Sequence, residues 1–200
     1  MNILIVYHSR LGSVQKMARL IARGVESVAG CDAILRTVPE VSDSTSTAAE
    51  TELSPPEQSD PLVTPAELEN CAALVMGSPT RFGNMSAAMK FFLDQTSSLW
   101  MSGGLAGKPA AVFTSTSSMH GGQESTLLSM MNPLLHHGMV ICGLPYTESA
   151  LHKTTSGGTP YGASHVAGPS NNNPISDHER TLCLALGKRI AGLAQQLKTA

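Results

Sequence analysis

Hydroxyl and glycine residues fill a short turn near the start of the chain. Ser9, Gly12 and Ser13 lie between an apolar run at residues 3–7 and a segment whose apolar residues have helical spacing. A helix N-terminus is electropositive and offers unpaired N–H groups, so such a turn favours a phosphate, and glycine permits close approach of the backbone. The turn lacks the spacing of a dinucleotide fingerprint or a P-loop. It indicates an anion site for one phosphate group, with a simple helix cap at Ser9 or Ser13 as the alternative.

Two later turns have the same character. Residues 77–85 combine Thr80, Arg81, Phe82 and Gly83, which offer backbone amides, a hydroxyl and an aromatic ring to a planar ligand. Residues 115–124 are hydroxyl-rich and contain two glycines, so their backbone can lie along a flat heterocycle. Three such turns predict a mononucleotide site, and flavin mononucleotide (FMN) has both the single phosphate and the flat ring.

Five apolar runs are expected to form the strands that carry these turns. They lie at residues 3–7, 33–38, 72–76, 110–114 and 139–142. Segments with apolar residues three and four apart, typical of helices, lie between and after them. Parallel strands need crossover connections, so the pattern predicts a doubly wound parallel sheet with helices on both faces. Ligands of such sheets bind beyond the carboxyl ends of the strands, where the three turns lie.

Composition limits the class of protein. The 200 residues suit a single domain, 1–200, and 42% hydrophobic against 14% charged residues is ordinary for a globular chain. The net charge of -2 offers no basic field for nucleic acid. No apolar run approaches the roughly 18 residues that cross a bilayer, so stable membrane insertion is not expected.

Cysteine and histidine usage bears on compartment and metals. The four cysteines are widely separated, which favours reduced core residues in a cytoplasmic protein over disulfides. The chain starts directly with an apolar strand and shows no export leader. Seven histidines show no metal-ligand spacing, so no metal site is predicted.

Two segments depart from the regular alternation of strands and helices. Residues 39–65 are rich in Ser, Thr, Glu and Pro and are expected to form a long variable loop without a catalytic role. Residues 154–174 are rich in Gly, Ser and Asn and follow the last predicted strand. A second loop, near the active site and functional, is expected there.

Several motifs together resemble the WrbA-type NAD(P)H:quinone oxidoreductases. The resemblance runs from the first strand to the last helix, outside residues 39–65, and is carried by residues 80–85, 92–96, 99–100, 121–124, 136–139 and 158–163. It implies a three-layer, flavodoxin-like α/β fold with strand order 2-1-3-4-5. It also implies a homotetramer in which a neighbouring subunit uses residues 158–163 to wall the pocket.

The resemblance also implies the site residues. The expected FMN contacts come from the three turns and from one histidine: Ser9, Arg10, Leu11, Gly12, Ser13, Val14, Pro79, Thr80, Arg81, Phe82, Gly83, Asn84, Ser115, Thr116, Ser117, Ser118, Met119, His120, Gly121 and His136. Trp100, in a segment interpreted as a polar loop, and Phe82 are the expected substrate contacts. Leu11 stands where many members of the family carry an aromatic residue.

The implied activity is a two-electron, ping-pong reduction of quinones by NADH or NADPH. Phe82, Trp100 and His136 would grip nicotinamide and quinone in turn at one shared place. His136 would donate a hydrogen bond or a proton to the quinone oxygen, or only orient the ligand. The alternatives are a flavodoxin-type FMN electron carrier, disfavoured because carriers resemble strongly acidic monomers, and an azo or nitroaromatic reductase.

Overall fold

A computed structural model describes residues 1–41 and 60–198 of the chain. The strands of this part are β1 (Asn2–Tyr7), β2 (Asp32–Thr37), β3 (Ala73–Pro79), β4 (Pro109–Thr116), β5 (Val140–Ile141) and β6 (Ala163–Val166). The helices are α1 (Ser13–Glu26), α2 (Pro65–Asn70), α3 (Ala87–Asp94), α4 (Ser97–Met101), α5 (Gln123–His136), α6 (Ala150–Lys153) and α7 (Asp177–Lys198). Strands and helices alternate along the chain, as the apolar runs predict.

The strands form one parallel sheet in the order β2-β1-β3-β4-β5. This order confirms the predicted doubly wound topology. The chain reverses its direction of winding between β1 and β3, so their carboxyl ends diverge into a crevice at that point.

Two short strands share the fifth position of the sheet. β5 pairs with Pro109 and Ala110 at the start of β4, and β6 pairs with residues 113–116 at its end. The expectation that residues 154–174 form a loop is therefore wrong for Ala163–Val166. This strand contains Ser164 and His165, which are buried, so its sequence lacks the continuous apolar run that identifies the other strands.

Side chains of alternate strand residues build two separate cores. Ile3 and Ile5 of β1 pack with α1 and α7 on one face, and Leu4 and Val6 pack with α2, α3 and α5 on the other. Each fully buried side chain of this size contributes about 1.5–3 kcal/mol relative to exposure. The two cores fix the sheet between helical layers, which holds the carboxyl ends of the strands in register.

One helix begins at the end of the predicted variable loop, and another lies where the sequence is interpreted as a polar loop. α2 begins at Pro65, the last residue of the predicted loop 39–65, because Thr64 and Glu67 form a reciprocal capping box and Pro65 occupies the first turn. Residues 42–59 of that predicted loop lie outside the described residues. Trp100 lies on α4 and not in a polar loop, and its side chain is about half exposed.

The four cysteines are free and buried. Burial raises the pKa of Cys71 and of Cys142 to about 11, so these thiols are unreactive core groups at neutral pH.

Within residues 1–41 and 60–198, no helix combines the length and apolar character needed to cross a bilayer.

Candidate functional site

A pocket opens at the carboxyl edge of the sheet, between the turns that follow β1, β3 and β4. We call it the carboxyl-edge pocket; it encloses about 160 Å³. Four segments supply its lining: Ser9, Arg10, Leu11, Ser13, Val14, Pro79, Thr80, Arg81, Ser115, Thr116, Ser117, Ala167, Gly168, Pro169 and Asn171. The three predicted turns therefore meet as expected, and a fourth segment joins them.

The turn after β1 leaves the N-terminus of α1 open. Gly12 caps the helix with a φ of 87°, in the left-handed region, and has no side chain that could accept the first N–H groups. A Cβ at this position would meet no atom within 4 Å. The Ser9 hydroxyl accepts a hydrogen bond from the N–H of Gln15 at 3.2 Å and so reinforces the first helical turn. This geometry is an electropositive cradle for an anion.

Hydrogen bonds join the turns after β3 and β4 into one wall. The N–H of Thr80 donates to the Ser115 carbonyl at 3.0 Å, and the Thr80 and Thr126 hydroxyls lie 2.7 Å apart. The Arg81 guanidinium donates to the Thr80 carbonyl at 2.7 Å and is exposed. A cationic group therefore lies beside the pocket. The ion pairs among the described residues do not include Arg81.

Phe82 and Gly83 form the tip of a tight turn beside this wall. Arg81 and Asn84 exchange two backbone hydrogen bonds of 2.8 and 3.0 Å across it. Both central residues have positive φ, 52° for Phe82 and 75° for Gly83, as a type I′ turn requires. The phenyl ring is fully exposed. An aromatic ring held in solvent on a strained backbone is suited to stacking on a planar partner.

The fourth wall is the segment after β6, which the sequence indicates only by its composition. The Ala167 N–H donates to the Thr116 carbonyl at 2.8 Å, and Asn171 reaches across to the first turn. The expectation of a functional loop in this region names none of these residues individually. Gly, Ser and Asn enrichment is the only signal that points to them.

A buried carboxylate anchors the fourth wall. Glu179 accepts hydrogen bonds of 2.8 Å from the N–H of Gly157, 3.0 Å from Val166 and 2.9 Å from the His165 ring. Burial acts to raise the pKa of Glu179, but the hydrogen bonds from His165 and from backbone N–H groups outweigh it and hold that pKa at about 2. Glu179 is therefore ionised at neutral pH.

Several predicted contacts flank the pocket without lining it. They are Gly12, Phe82, Gly83, Asn84, Ser118, Met119, His120 and Gly121. Met119 and His120 are exposed at the tip of the turn after β4.

His136 and Trp100 lie at the opposite edge of the sheet from this pocket. α5 begins at the carboxyl edge, and its 14 residues carry His136 about 20 Å away, to the edge where β4 starts. The Trp100 indole N–H donates to the His136 carbonyl at 2.8 Å. Both residues line what we call the opposite-edge groove, of about 420 Å³. The expected aromatic box of Phe82, Trp100 and His136 does not form within one chain.

His137 ties α5 to α4 in this groove. The Thr96 hydroxyl donates to the Leu93 carbonyl at 2.7 Å, so it must accept from His137 Nε2 at 2.9 Å. In a neutral ring with its proton on Nε2, Nδ1 is unprotonated, and this atom is buried without a partner among the described residues. Burial, followed by the nearby His136, lowers the pKa of His137, which keeps its ring neutral.

The described residues contain no group of three His, Cys, Asp or Glu side chains that could hold a metal ion. The carboxyl-edge pocket instead offers hydroxyls, amides and an open helix N-terminus, which are ligands for an anion.

Proteins of known name are similar in sequence to nearly the whole chain. A protein named NAD(P)H dehydrogenase (quinone) from Solidesulfovibrio magneticus is 44% identical over 99% of this chain and 100% of its own. Proteins of the same name from Syntrophobacter fumaroxidans and Gluconacetobacter diazotrophicus are 45% and 43% identical, each over 98% of both chains.

Solved structures share the fold. The flavodoxin, WrbA-like protein from Agrobacterium tumefaciens superimposes with a TM-score of 0.66 at 23% identity, over 98% of each chain. A flavodoxin from the domain Archaea gives 0.64 at 20% identity, over 98% of this chain and 99% of that one. Both show a flavodoxin-like fold. Residues 1–150 match the family described as NADPH-dependent FMN reductase, and the chain belongs to that family.

Proposed function

We propose that the chain binds FMN in the carboxyl-edge pocket and reduces quinones with electrons from NADH or NADPH. The observation that carries the proposal is the meeting of an open, hydroxyl-lined helix N-terminus with two further polar turns at one edge of the sheet. The names of the relatives supply the reaction, because they are NAD(P)H dehydrogenases that act on quinones.

The residues of the first turn suit the phosphate of FMN. The cradle at Ser9, Gly12 and Ser13 combines hydroxyl donors with the positive end of a 14-residue helix. A side chain at Gly12 would project into open space, so the glycine leaves room for a ligand against the backbone. We assign Ser9, Gly12 and Ser13 to the phosphate.

The other turns suit the flat ring. Thr80 and Arg81 offer a hydroxyl and a cation to its polar edge, and residues 115–117 offer backbone and hydroxyl groups. When bound, FMN supplies a ring that accepts a hydride from a nicotinamide and passes it to a quinone. The protein would position both substrates against this ring. The exposed ring of Phe82 is available for stacking on either one.

We further propose a homotetramer in which a neighbouring subunit brings Trp100 and His136 to the pocket. Exposed apolar side chains lie on the two helices that line the opposite-edge groove: Trp100 and Met101 on α4, and Leu135 on α5. A cluster of this kind is typical of a protein interface. His136 would then donate a hydrogen bond or a proton to the quinone oxygen from across the interface. The buried free cysteines support a cytoplasmic location.

A steady-state assay tests the proposal. Apoprotein should oxidise NADH or NADPH in the presence of benzoquinone only after FMN is added, with parallel lines in double-reciprocal plots, as one shared substrate position requires. Intersecting lines would contradict a shared position. An FMN-loaded protein without turnover would instead support the electron carrier.

A further inference from the structure

Asn171 has an unusual backbone conformation at the wall of the carboxyl-edge pocket. Phe82 and Asn171 are the two non-glycine residues with positive φ in the described ranges, and φ of Asn171 is 53°. Asparagine tolerates this region better than other side chains do, but the conformation still costs free energy. Such a conformation persists only where surrounding contacts hold it.

The contacts that hold Asn171 in this conformation reach the turn after β1. The Asn171 amide Nδ2 donates to the Leu11 carbonyl at 2.9 Å, and the Ser13 hydroxyl donates to Asn171 Oδ1 at 2.8 Å. A carbonyl only accepts, so the orientation of the Asn171 amide is fixed, and Ser13 must be the donor. One side chain thus bonds both sides of Gly12.

The turn that presents Asn171 is itself held at both ends. The Asn171 N–H donates to the Gly168 carbonyl at 3.0 Å, and the Asn173 N–H donates to the Ala167 carbonyl at 2.9 Å. Glu179 accepts from the Val166 and Ser176 N–H groups, which flank the turn. The position of the Asn171 amide is therefore set before any ligand arrives.

We propose that Asn171 is a positioning residue that gives the pocket its selectivity for a phosphorylated flavin. Its bond to Leu11 keeps that carbonyl oxygen, which would repel an anion, engaged with the loop. Its bond to Ser13 holds the hydroxyl at the cradle, and when a phosphate binds, the hydroxyl can turn its one hydrogen bond from Asn171 Oδ1 to a phosphate oxygen. This inference rests on the proposed function, because it assigns a role in binding FMN.

Charge and geometry predict how substitutions act. N171D replaces the amide donor by a carboxylate, which breaks the Leu11 bond and places a negative charge at the cradle, so FMN affinity should fall about 100-fold. N171G keeps the backbone conformation accessible and removes only the side chain, so the fall should be about tenfold. Riboflavin has no phosphate, and its affinity should change less than about twofold in either variant. N172D makes the same charge change at an exposed neighbouring residue and should alter both affinities by less than about threefold.

The experiment titrates FMN and riboflavin separately into the apoproteins and follows flavin fluorescence, at low and at high salt. Loss of FMN affinity alone in N171D, reduced at high salt, supports the inference. Unchanged FMN affinity in N171D, or equal loss of FMN and riboflavin affinity, overturns it while leaving the proposed function intact. A wild-type protein that binds neither flavin would instead overturn the proposed function, and the inference with it.

Discussion

Phe82 has an exposed ring and a left-handed backbone, two properties that cost stability in an isolated subunit. A strained backbone of this kind costs about 1–3 kcal/mol, and strain of this size concentrates at binding sites. The structure puts Phe82 at the first central position of a type I′ turn, where asparagine before glycine is the favoured pair. Stability alone therefore favours asparagine at this position, whereas the proposed stacking role favours an aromatic ring.

This conflict predicts the behaviour of F82N. The variant should unfold with a free energy about 1 kcal/mol higher than wild type, because Asn-Gly fits the turn. Its KM for benzoquinone should rise about tenfold, because the stacking ring is gone. Urea denaturation and steady-state kinetics measure the two effects. A less stable variant with unaltered KM would show that Phe82 serves the fold and not the ligand.

At the scale of elements, α1 and α7 approach each other through glycines. A Cβ at Gly187 would overlap the carbonyl oxygen of Ile21, and one at Gly24 would overlap that of Leu184. The clashes would be with backbone atoms, which cannot move aside as a side chain does. These two glycines therefore set the distance between the helices.

A matched pair of substitutions in α7 tests this close approach. G187A should lower the free energy of unfolding by about 2–3 kcal/mol, because the helices must separate. G192A lies on the same helix, where an added Cβ meets nothing within 4 Å, and should raise it by about 0.8 kcal/mol through helix propensity. Equal effects from both variants would show that helix packing is not the cause.

The Glu179 anchor makes the stability of the fourth wall depend on pH. The pKa of Glu179 is about 2 in the folded protein, below that of an unfolded glutamate, so its contribution is complete above the unfolded value and is lost as pH falls toward 2. The contribution at neutral pH is about 3 kcal/mol. E179Q should therefore be less stable than wild type at pH 7, and the difference should shrink between about pH 5 and pH 2.

Urea midpoints of wild type and E179Q across this pH range measure that difference. If the two midpoints differed by the same amount at every pH, the Glu179 charge would not be what anchors the wall.

Apolar runs in the sequence predict most of the strands, but local sequence does not predict all of the elements and contacts. The buried runs around Ile5, Val75 and Val112 are long enough to mark three central strands and so the three turns of the pocket. β6 is four residues long and polar at its centre. Ser164 and His165 find hydrogen-bond partners only in the folded chain, so no local pattern marks this segment as a buried strand. Asn171 is 158 residues from Ser13, and nothing local distinguishes it from Asn172.

At the scale of the whole molecule, the two sets of predicted site residues lie at opposite edges of the sheet. The predicted topology already implies this separation, because α5 joins β4 to the next parallel strand and must run back from the carboxyl edge to the opposite edge. The resemblance to a known family places Trp100 and His136 at the flavin site, but within one chain they line a separate groove. In the proposed homotetramer, a second subunit would bring them to the pocket.

A charged substitution beside the opposite-edge groove tests the proposed tetramer. L135E replaces an exposed leucine next to His136 by a carboxylate. On sedimentation, the variant should give species smaller than a tetramer. Quinone turnover should fall at least tenfold, whereas FMN affinity should stay within about threefold, because the carboxyl-edge pocket is built within one chain. L62E makes the same change on a similarly exposed leucine beside β2 and should alter neither. Full activity in a dissociated L135E protein would contradict the shared site.

The most direct measurement mixes FMN-loaded protein with NADH under anaerobic conditions, then adds benzoquinone, and follows the absorbance of the oxidised flavin. We expect rapid bleaching by NADH and full recovery on addition of benzoquinone, because the flavin takes up the electron pair from the first substrate and delivers it to the second. If neither NADH nor, in a second mix, NADPH changes the absorbance of the bound flavin, the chain is an electron carrier and the proposed reaction is wrong.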